Sequence, residues 1–349
     1  MRPEIRLSAF SVDDLRNYSE LSSRIYGDKA SVCDLTHIAW KHIDNPSGPS
    51  EMVGLYDEDK IVGRAMLQRR TIQVGNSSYS AAFVADVLIE EGYRRPLTNF
   101  SKLMKKALYQ SNIDLVLHTA NEVSESLYLK LMRFEPVFSL QSFVVPIQPA
   151  ALLTRFISLP VFVSKAIDWV YIKLVLSFAF VVMSLARVKL TSCEASSFVF
   201  SSERGSPHLV KDEAFLKWRL DCPLLDAECV SLEVNDIQRN RILIGKSEFE
   251  GIEALVLMEC SRGSNCGLLL RFAQRLAIVR FAILSNMKLI YYITNPNSDG
   301  ELFTGFPFIK VPDRFLPHAT PIFIHTNTEE LEGLNFSNLA ISLADLDYF

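Results

Sequence analysis

Several residues that can perform acid–base or anion-binding chemistry fall within one segment, residues 81–134. Asp86 lies inside an apolar run, where desolvation is expected to raise the pKa of a carboxylate into the range of a general base. His118 ends the next apolar run and is a second candidate base. Arg94 and Arg95 follow the first run and add positive charge at a turn. A paired structural Asp, a structural His and a solvated Arg pair remain open as alternatives.

The first of these runs begins a strand–turn–helix unit. Residues 81–89 are typical of a strand buried on both faces, and residues 90–98 break the run with Gly, Pro and charge. Thr98 or Asn99 is the expected N-cap of the helix that follows. Its apolar face is predicted to contain Phe100, Leu103, Met104, Ala107 and Leu108. Free N–H groups and the dipole at this helix N-terminus make the turn a predicted anion site.

A second strand–turn–helix unit follows, with a strand over 114–118 and a helix over 122–133. Together the two units resemble the acyl-CoA core of the GNAT (Gcn5-related) N-acyltransferase superfamily. In that family a Tyr-Arg pair opens a glycine-rich loop around the CoA pyrophosphate, and Tyr93-Arg94 falls at this point. The resemblance covers about residues 1 to 147.

The second family landmark is an Asn, then a Tyr and a Gly-Phe pair on the next helix. Asn121, Tyr128 and Phe134 are similar to it, with Arg133 in place of the Gly. The loop after Tyr93-Arg94 also departs from the family, because two of its glycines are replaced. The resemblance implies acetyl-CoA or another acyl-CoA as donor, with no metal. The residues that it assigns to the donor are Leu88, Ile89, Arg94, Arg95, Leu97, Thr98, Asn99 and Asn121.

The resemblance also assigns roles in catalysis. A backbone N–H near Ile89 would hold the oxyanion, and Tyr128 would protonate the leaving thiolate. Asp86 and His118 are then the candidate bases for the acceptor amine. Trp40 and His42 are candidates for the acceptor pocket. A core tyrosine is the alternative for Tyr128, and packing is the alternative for Trp40, since Trp218 occupies the equivalent place later in the chain.

Composition and charge restrict the class of protein. The chain has 349 residues, enough for two domains, and its hydrophobic content of 49% is that of a globular protein. A net charge of −4 provides no basic field for nucleic acid. The six cysteines form no CxxC pair, so we expect reduced thiols and no zinc site. No secretory signal opens the sequence, and a cytoplasmic location is expected.

The segment 169–186 raises the question of membrane contact, because it contains a single charged residue, Lys173. Its uncharged part, 174–186, is short of the roughly 20 residues that a spanning helix needs. A buried helix between domains, or one lying in the membrane interface, is therefore favoured over a spanning helix. Peripheral association with a membrane is the corresponding expectation for location.

The second half of the chain repeats the first in outline. A helix carrying Trp218, two strands, a long helix over 268–284 and a strand ending at Asn295 follow one another as in the first half. The expected fold is α/β, with two tandem GNAT-like domains, each a mixed central sheet flanked by helices. Their expected bounds are 1–147 and 195–349, joined by an apolar helical connector over 148–194. The second domain is expected to be degenerate, since it has no Tyr-Arg loop.

The resemblance leads to one function and one alternative. The expected function is acyl-CoA-dependent N-acyl transfer, of an acetyl or longer group, to a small-molecule primary amine. Similar tandem proteins are associated with bacterial surface polysaccharides, which suggests an amino-sugar acceptor. The alternative is a GNAT-fold binding or scaffold protein that has lost CoA binding. The sequence does not determine the oligomeric state.

Overall fold

The chain folds into two compact units in the computed structural model. Unit 1 comprises the described parts of Met1–Leu140, Ser202–Trp218 and Pro317–Ala340. Unit 2 comprises the described parts of the remaining segments, 141–201, 219–316 and 341–349. The residues described are 3–27, 31–95, 97–119, 122–154, 157–194, 207–249, 251–261, 267–295, 302–312 and 320–346. Each unit takes segments from both halves of the chain, whereas the sequence suggested successive domains.

Both halves of the chain contain helices and strands. Up to residue 146 the elements are β1 (Glu4–Ala9), α1 (Leu15–Tyr26), α2 (Leu35–His42), β2 (Glu51–Asp57), β3 (Lys60–Val74), β4 (Ser77–Ile89), α3 (Glu91–Arg94), α4 (Thr98–Gln110), β5 (Leu115–Thr119), α5 (Glu122–Met132) and β6 (Glu135–Pro146). Thereafter they are α6 (Pro149–Leu153), α7 (Val161–Ala186), β7 (Val188–Ser192), β8 (His208–Leu209), α8 (Glu213–Leu220), β9 (Asp226–Val234), β10 (Ile237–Phe249), β11 (Ile252–Cys260), α9 (Leu268–Leu284), β12 (Leu289–Thr294), β13 (Ile309–Lys310) and β14 (Thr320–Thr326).

The sheet of unit 1 has the strand order β1-β2-β3-β4-β5-β14-β6. β4 and β5 run parallel, and the other neighbouring strands are antiparallel. β14 comes from near the end of the chain and lies between β5 and β6. Unit 1 is discontinuous in sequence because its sheet requires this distant strand.

The helices of unit 1 follow the sequence patterns closely. Ser11 and Asp14 form a capping box before α1, and Gly27 ends that helix at a φ of 85°. The predicted core face of α4 is buried against the sheet at Leu103, Met104, Ala107 and Leu108. The predicted cap of α4 is wrong. Its N-cap is Leu97, which makes no side-chain hydrogen bond to the helix.

The sheet of unit 2 repeats this plan with the order β6-β12-β11-β10-β9-β7. β11 and β12 are parallel, as β4 and β5 are in unit 1. β6 contributes residues from Gln141 onward to this sheet and pairs with both β12 and β13. The core of unit 2 lies between its sheet and the helices α7 and α9. The segment expected to be a connector therefore supplies an edge strand, β7, and a helix, α7, that packs one side against the core of unit 2.

α7 is longer than the apolar segment suggested, because it begins at Val161. It is the one helix among the described residues that is long and apolar enough to cross a membrane, judged by length and composition alone. The mean hydropathy of its most apolar window is 2.0, and only 17% of that window is buried in the protein. A core helix of a soluble protein would be mostly buried, so this exposure requires a separate explanation.

Candidate active site

β4 extends beyond its ladder with β5 in the sheet of unit 1, and we call the place beside this unpaired strand edge the opening. Their parallel ladder pairs Ala81–Val84 with Leu115–His118. β4 continues to Ile89, and no described residue of β5 pairs with this extension. The edge of β4 that faces the opening thus offers backbone groups to an extended ligand, as an unpaired strand edge does.

A β-bulge lies within this extension of β4. Arg64 pairs with Leu88 and Met66 pairs with Ala85, so Asp86 and Val87 together face a single residue of β3. Asp86 has a φ of 50°, in the left-handed region that side chains other than Gly rarely adopt. Bulges commonly redirect a side chain beside an active site. Here the bulge directs the Asp86 carboxylate toward α1 and α2.

Three donors surround the Asp86 carboxylate. The Tyr18 hydroxyl donates to Oδ2 at 2.7 Å, and the Lys41 ammonium lies 2.9 Å from the same oxygen. His42 Nε2 lies 2.9 Å from Oδ2, and its Nδ1 lies 3.0 Å from Ser50 Oγ. The carboxylate is therefore part of a buried, closely paired polar cluster.

The prediction that burial raises the pKa of Asp86 is wrong. Desolvation raises the pKa, but the charge of Lys41, the hydrogen bond and charge of His42 and the charge of Arg64 together bring it well below its usual range. An ionised carboxylate with a low pKa and three donors is a poor proton acceptor. Its geometry suits a positioning role that holds the bulge of β4 in place.

Arg64 supports the same cluster from β3 and is almost completely buried. Its guanidinium lies over the Tyr18 ring at 3.4 Å and donates to Tyr18 O at 2.7 Å and Ser22 Oγ at 2.8 Å. A cation over an aromatic face is stabilising when both are desolvated. Arg64 and Tyr18 were not recognised in the sequence, where they resemble ordinary strand and helix residues.

Trp40 and His42, the two candidates for the pocket of the acceptor substrate, lie in a packed interior. The Trp40 ring stacks on the Trp218 ring at 4.7 Å. Each indole N–H donates to the backbone carbonyl of the other residue, at 2.7 and 2.8 Å. His42 is completely buried beside Asp86. These contacts favour the packing interpretation for Trp40. His42 is paired with Asp86 instead of lining a pocket for the substrate amine.

His118 and Tyr128 form a second pair at the wall of the opening. Their ring centroids are 3.8 Å apart, and both residues are buried. His118 Nδ1 lies 3.3 Å from Val84 O, and a carbonyl only accepts, so Nδ1 carries the hydrogen. His118 Nε2 and the Tyr128 hydroxyl have no hydrogen-bond partner among the described residues. His118 Nε2 is itself buried, and an unpartnered polar atom that is buried is costly unless a ligand satisfies it.

Burial determines the protonation of this pair. Desolvation lowers the pKa of His118 to about 4 and raises the pKa of Tyr128 above its usual range. At neutral pH the imidazole is neutral with a free lone pair on Nε2, and the phenol is protonated. The pair can accept and donate hydrogen bonds without introducing charge.

The depressed pKa of His118 predicts a loss of stability in acid. The unfolded chain takes up a proton near pH 6.5, whereas the folded imidazole does so only near pH 4. Between these values the unfolded state binds more protons, so stability falls as the pH falls. The free energy of unfolding of the wild type, minus that of His118→Gln, should decrease by about 3 kcal/mol from pH 7 to pH 4. Urea titrations across this range measure it, and a constant difference would contradict it.

The described part of the loop between β4 and α4 forms side-chain hydrogen bonds to its own backbone. Its first turn is the short helix α3, and Arg94 Nε donates to Ile89 O at 2.9 Å. Asn99 Nδ2 donates to Tyr93 O at 2.9 Å. The Leu97 side chain is 55% exposed and does not fill the turn.

The remaining residues predicted to bind the donor are distributed as follows. Arg95 and Thr98 are exposed at the start of α4. Leu88 and Ile89 are buried at the end of β4, where they pair with β3 and leave only their backbone for a ligand. Asn121 lies outside the described residues.

The equivalent opening in unit 2 is filled by the chain itself. β11 pairs with β12 only from Ala254 to Leu257 and has a bulge at Met258. Ala344 N donates to Met258 O at 3.0 Å, and Ser342 forms an antiparallel bridge with Thr294 at the end of β12. We call Ile341–Leu346 the C-terminal segment. Its apolar side chains are buried, and it occupies the gap between the two strand ends.

A side-chain network holds the C-terminal segment in this position. Ser342 Oγ donates to Glu259 Oε2 at 2.6 Å, and Ser342 N donates to Asp345 Oδ2 at 2.9 Å. The segment bonds to the strand edge that a ligand would use. The geometry thus leaves the opening of unit 1 as the candidate site.

Comparison with known proteins agrees with this architecture. A profile of the acetyltransferase (GNAT) domain matches residues 6–128. A similar solved structure is an Enterococcus faecalis protein described as of unknown function and a probable N-acyltransferase. It is 9% identical with a TM-score of 0.57, over 93% of this chain and 72% of that chain. A search of curated protein sequences returned no significant match.

Two further solved structures are similar over 93% of this chain. A GCN5-related N-acetyltransferase from Anabaena variabilis is 9% identical with a TM-score of 0.54, over 73% of its own chain. One from Kribbella flavida is 13% identical with a TM-score of 0.54, over 72% of its own chain. At these identities the likeness concerns the fold alone. The predicted fold class, a mixed α/β sheet flanked by helices with a GNAT architecture, is confirmed.

Proposed function

We propose that this chain is an acyl-CoA-dependent N-acyltransferase that acts through unit 1 and acylates a primary amine. The observation that carries the proposal is the opening between β4 and β5, with a bulge on one side and the unpartnered His118–Tyr128 pair at its wall. Similarity of residues 6–128 to a GNAT acetyltransferase domain supports it. An amino-sugar acceptor, in bacterial surface polysaccharide synthesis, is a narrower form that rests on the resemblance.

The residues around the opening fit an acyl-CoA donor. The open edge of β4 offers backbone groups to the amides of an extended pantetheine arm. The first-turn N–H groups of α4, with Arg94 and Arg95 beside them, suit a diphosphate. The exposed Leu97 leaves this turn accessible although a glycine is absent. When bound, acyl-CoA supplies a thioester whose carbonyl carbon the amine attacks.

Three side chains near the opening have different roles in the proposed transfer. Tyr128 holds a proton on its phenol and donates it to the departing thiolate, and the proton that the acylated amine loses restores the phenol. His118 is neutral and accepts a hydrogen bond at Nε2, which positions the acid or the amine. Asp86 fixes the bulge, and through it the backbone groups at the open edge, by way of Tyr18, Lys41 and His42.

Calorimetric titration with acetyl-CoA tests donor binding, and release of free thiol in the presence of glucosamine tests transfer. One binding site per chain and amine-dependent thiol release are the expected results.

A scaffold without CoA binding is the second candidate, and it is favoured by the bond from Arg94 to Ile89 O in a loop without the family glycines. The absence of both heat and thermal shift would establish that candidate and exclude the enzyme.

Arg94→Ala should weaken acetyl-CoA binding by about 1.5–3 kcal/mol, the usual contribution of a hydrogen bond to a charged group. The same titration measures it as a dissociation constant raised roughly 10- to 100-fold. Arg16→Ala is the matched control, because its side chain is 88% exposed on α1 and pairs only with Glu20 among the described residues. Equal affinities for wild type and Arg94→Ala would place the diphosphate elsewhere.

A further inference from the structure

α7 has an unusually large apolar surface exposed to solvent. We call this surface the α7 face. Its exposed apolar residues are Val161, Phe162, Ile167, Trp169, Val170, Leu174, Phe178, Phe180, Val181 and Leu185. Exposed apolar surfaces of this kind on soluble proteins mark interaction sites. The question is what covers the α7 face.

The opposite side of α7 packs against unit 2 near both ends of the helix. Ser164, Asp168, Ala179 and Met183 are its buried residues. The Asp168 carboxylate accepts from the backbone N–H groups of Ala150 and Ala151 at 2.8 and 2.9 Å. A spanning orientation would break this stripe of contacts. The helix therefore presents its exposed side as a strip of about 39 Å, lying flat on the protein.

The charges on α7 suit an anionic lipid surface. Asp168 is the only acidic residue of the helix, and it is buried. Lys165 and Lys173 are exposed, and Lys173 Nζ lies 6.0 Å from the ring of Trp169. Lys side chains reach from an apolar surface to headgroups, and Trp is enriched at the membrane interface.

The apolar surface continues onto neighbouring elements of unit 2. The Phe178 ring lies 6.0 Å from Phe272 on α9, and Phe272 stacks on Phe306 at 5.9 Å. Leu268 and Leu269 at the start of α9 are strongly exposed. α7, α9 and the segment that contains Phe306 thus all contribute to this apolar surface.

A basic cavity opens at the C-terminal end of the α7 face. It has a volume of about 610 Å³ and is lined by Phe180, Met183, Arg187, Lys189 and Arg280, among others. Lys189 pairs with Asp236 at 2.6 Å. Arg280 has no ion pair among the described residues. The cavity can accept a phosphate next to an apolar chain, which is the chemistry of a phospholipid.

We propose that the α7 face docks lengthwise on a bilayer that contains anionic phospholipid, with a lipid phosphate at the cavity near Arg280. The apolar strip enters the interface between headgroups and acyl chains, as in other surface-lying helices. Docking of the α7 face on a membrane does not depend on the proposed acyl transfer. If unit 1 is an acyltransferase, docking would place it near membrane-associated substrates.

Tryptophan fluorescence reports this docking directly. Trp40 and Trp218 are buried, whereas Trp169 is 63% exposed on the α7 face. Adding phosphatidylcholine vesicles with phosphatidylglycerol should shift the emission to the blue, and brominated acyl chains should quench it. Arg280→Gln should lower the partition coefficient about fivefold on these vesicles, and little on neutral ones. Emission that stays the same with every vesicle would overturn the proposal.

A charged variant provides the second measurement, by vesicle flotation. Leu174→Glu with Leu185→Glu alters residues that are 66% and 79% exposed, so the fold should be retained. We expect at least a tenfold loss of vesicle binding. Val12→Glu with Leu35→Glu is the matched control, at exposed positions of unit 1. Equal binding by both double variants would refute the α7 face as the contact.

Two other results would also overturn this proposal. Retention in the membrane after alkaline carbonate washing would mean that α7 spans the bilayer. A dimer without vesicles, converted to monomers by Leu174→Glu with Leu185→Glu, would mean that a second copy covers the face. Light scattering after size exclusion distinguishes that case.

Discussion

Tyr128→Phe is expected to reduce the turnover number about 100- to 10,000-fold, the usual contribution of a positioned acid. Burial keeps the phenol protonated at neutral pH, and its hydroxyl has no competing partner among the described residues. The ring packs against His118 and Phe100, and phenylalanine preserves these contacts. The effect should therefore appear in kcat, with KM for the donor nearly unchanged. Steady-state kinetics of thiol release measures both constants.

Stability measurements separate this chemical effect from damage to the fold. Because the Tyr128 hydroxyl is unpaired, Tyr128→Phe should leave the melting temperature unchanged or slightly higher. Tyr26→Phe is the control for the substitution itself, since Tyr26 is exposed on α1. Wild-type turnover in Tyr128→Phe would remove the tyrosine from the mechanism. Slow turnover together with a lowered melting temperature would reduce it to a packing residue.

Asp86→Ala is expected to lower the free energy of unfolding by about 3–5 kcal/mol, the cost of removing one partner from a buried ion pair. The Lys41 ammonium would lose a counter-charge at 2.9 Å, and Tyr18 would lose its acceptor at 2.7 Å. The strained backbone at the bulge would also lose its side-chain anchor. Equilibrium unfolding in urea measures the loss.

A double-mutant cycle tests whether the loss comes from the ion pair. Asp86→Ala with Lys41→Met should be less destabilised than the sum of the single variants, because the Lys41 ammonium is then no longer left without its carboxylate partner. Asp236→Ala, which removes an exposed pair with Lys189, should cause no measurable loss. Additive losses at Asp86 and Lys41 would contradict a paired cluster.

Local patterns predicted most of the architecture. The helical spacing of Leu103, Met104, Ala107 and Leu108 specified the buried face of α4. The residue patterns also predicted the strand β4, a turn at the N-terminus of the helix α4 and the next strand, β5. Such patterns are visible because they depend on neighbours within a few residues in the chain.

The electrostatics of the site were not predictable in this way. Asp86 looked like a desolvated, unpaired acid because its partners Tyr18, Lys41 and His42 lie 44 to 68 residues away in sequence. The bulge that turns its side chain toward them has no signature in the sequence of β4. The prediction for the pKa of Asp86 therefore included the effect of desolvation correctly but omitted the nearby positive charges, which lower the pKa.

The sequence analysis also did not predict that segments distant in the chain join the two sheets. β14 joins the sheet of unit 1, and the C-terminal segment enters the gap between β11 and β12. Both are short apolar runs that could pair with many partners. The sequence did show that the second half lacks the Tyr-Arg loop, and the filled gap supplies a structural reason why unit 1 is the candidate site.

Hydrogen–deuterium exchange with and without CoA tests whether unit 1 alone binds the donor, because the two units carry equivalent strands in one molecule. Our account predicts that CoA slows exchange at the amides of residues 85–89 on the open edge of β4. The corresponding amides of residues 258–260 on β11, where the C-terminal segment already bonds, should exchange at the same rate with and without CoA. Protection on β11 alone, or on neither strand, would contradict the account.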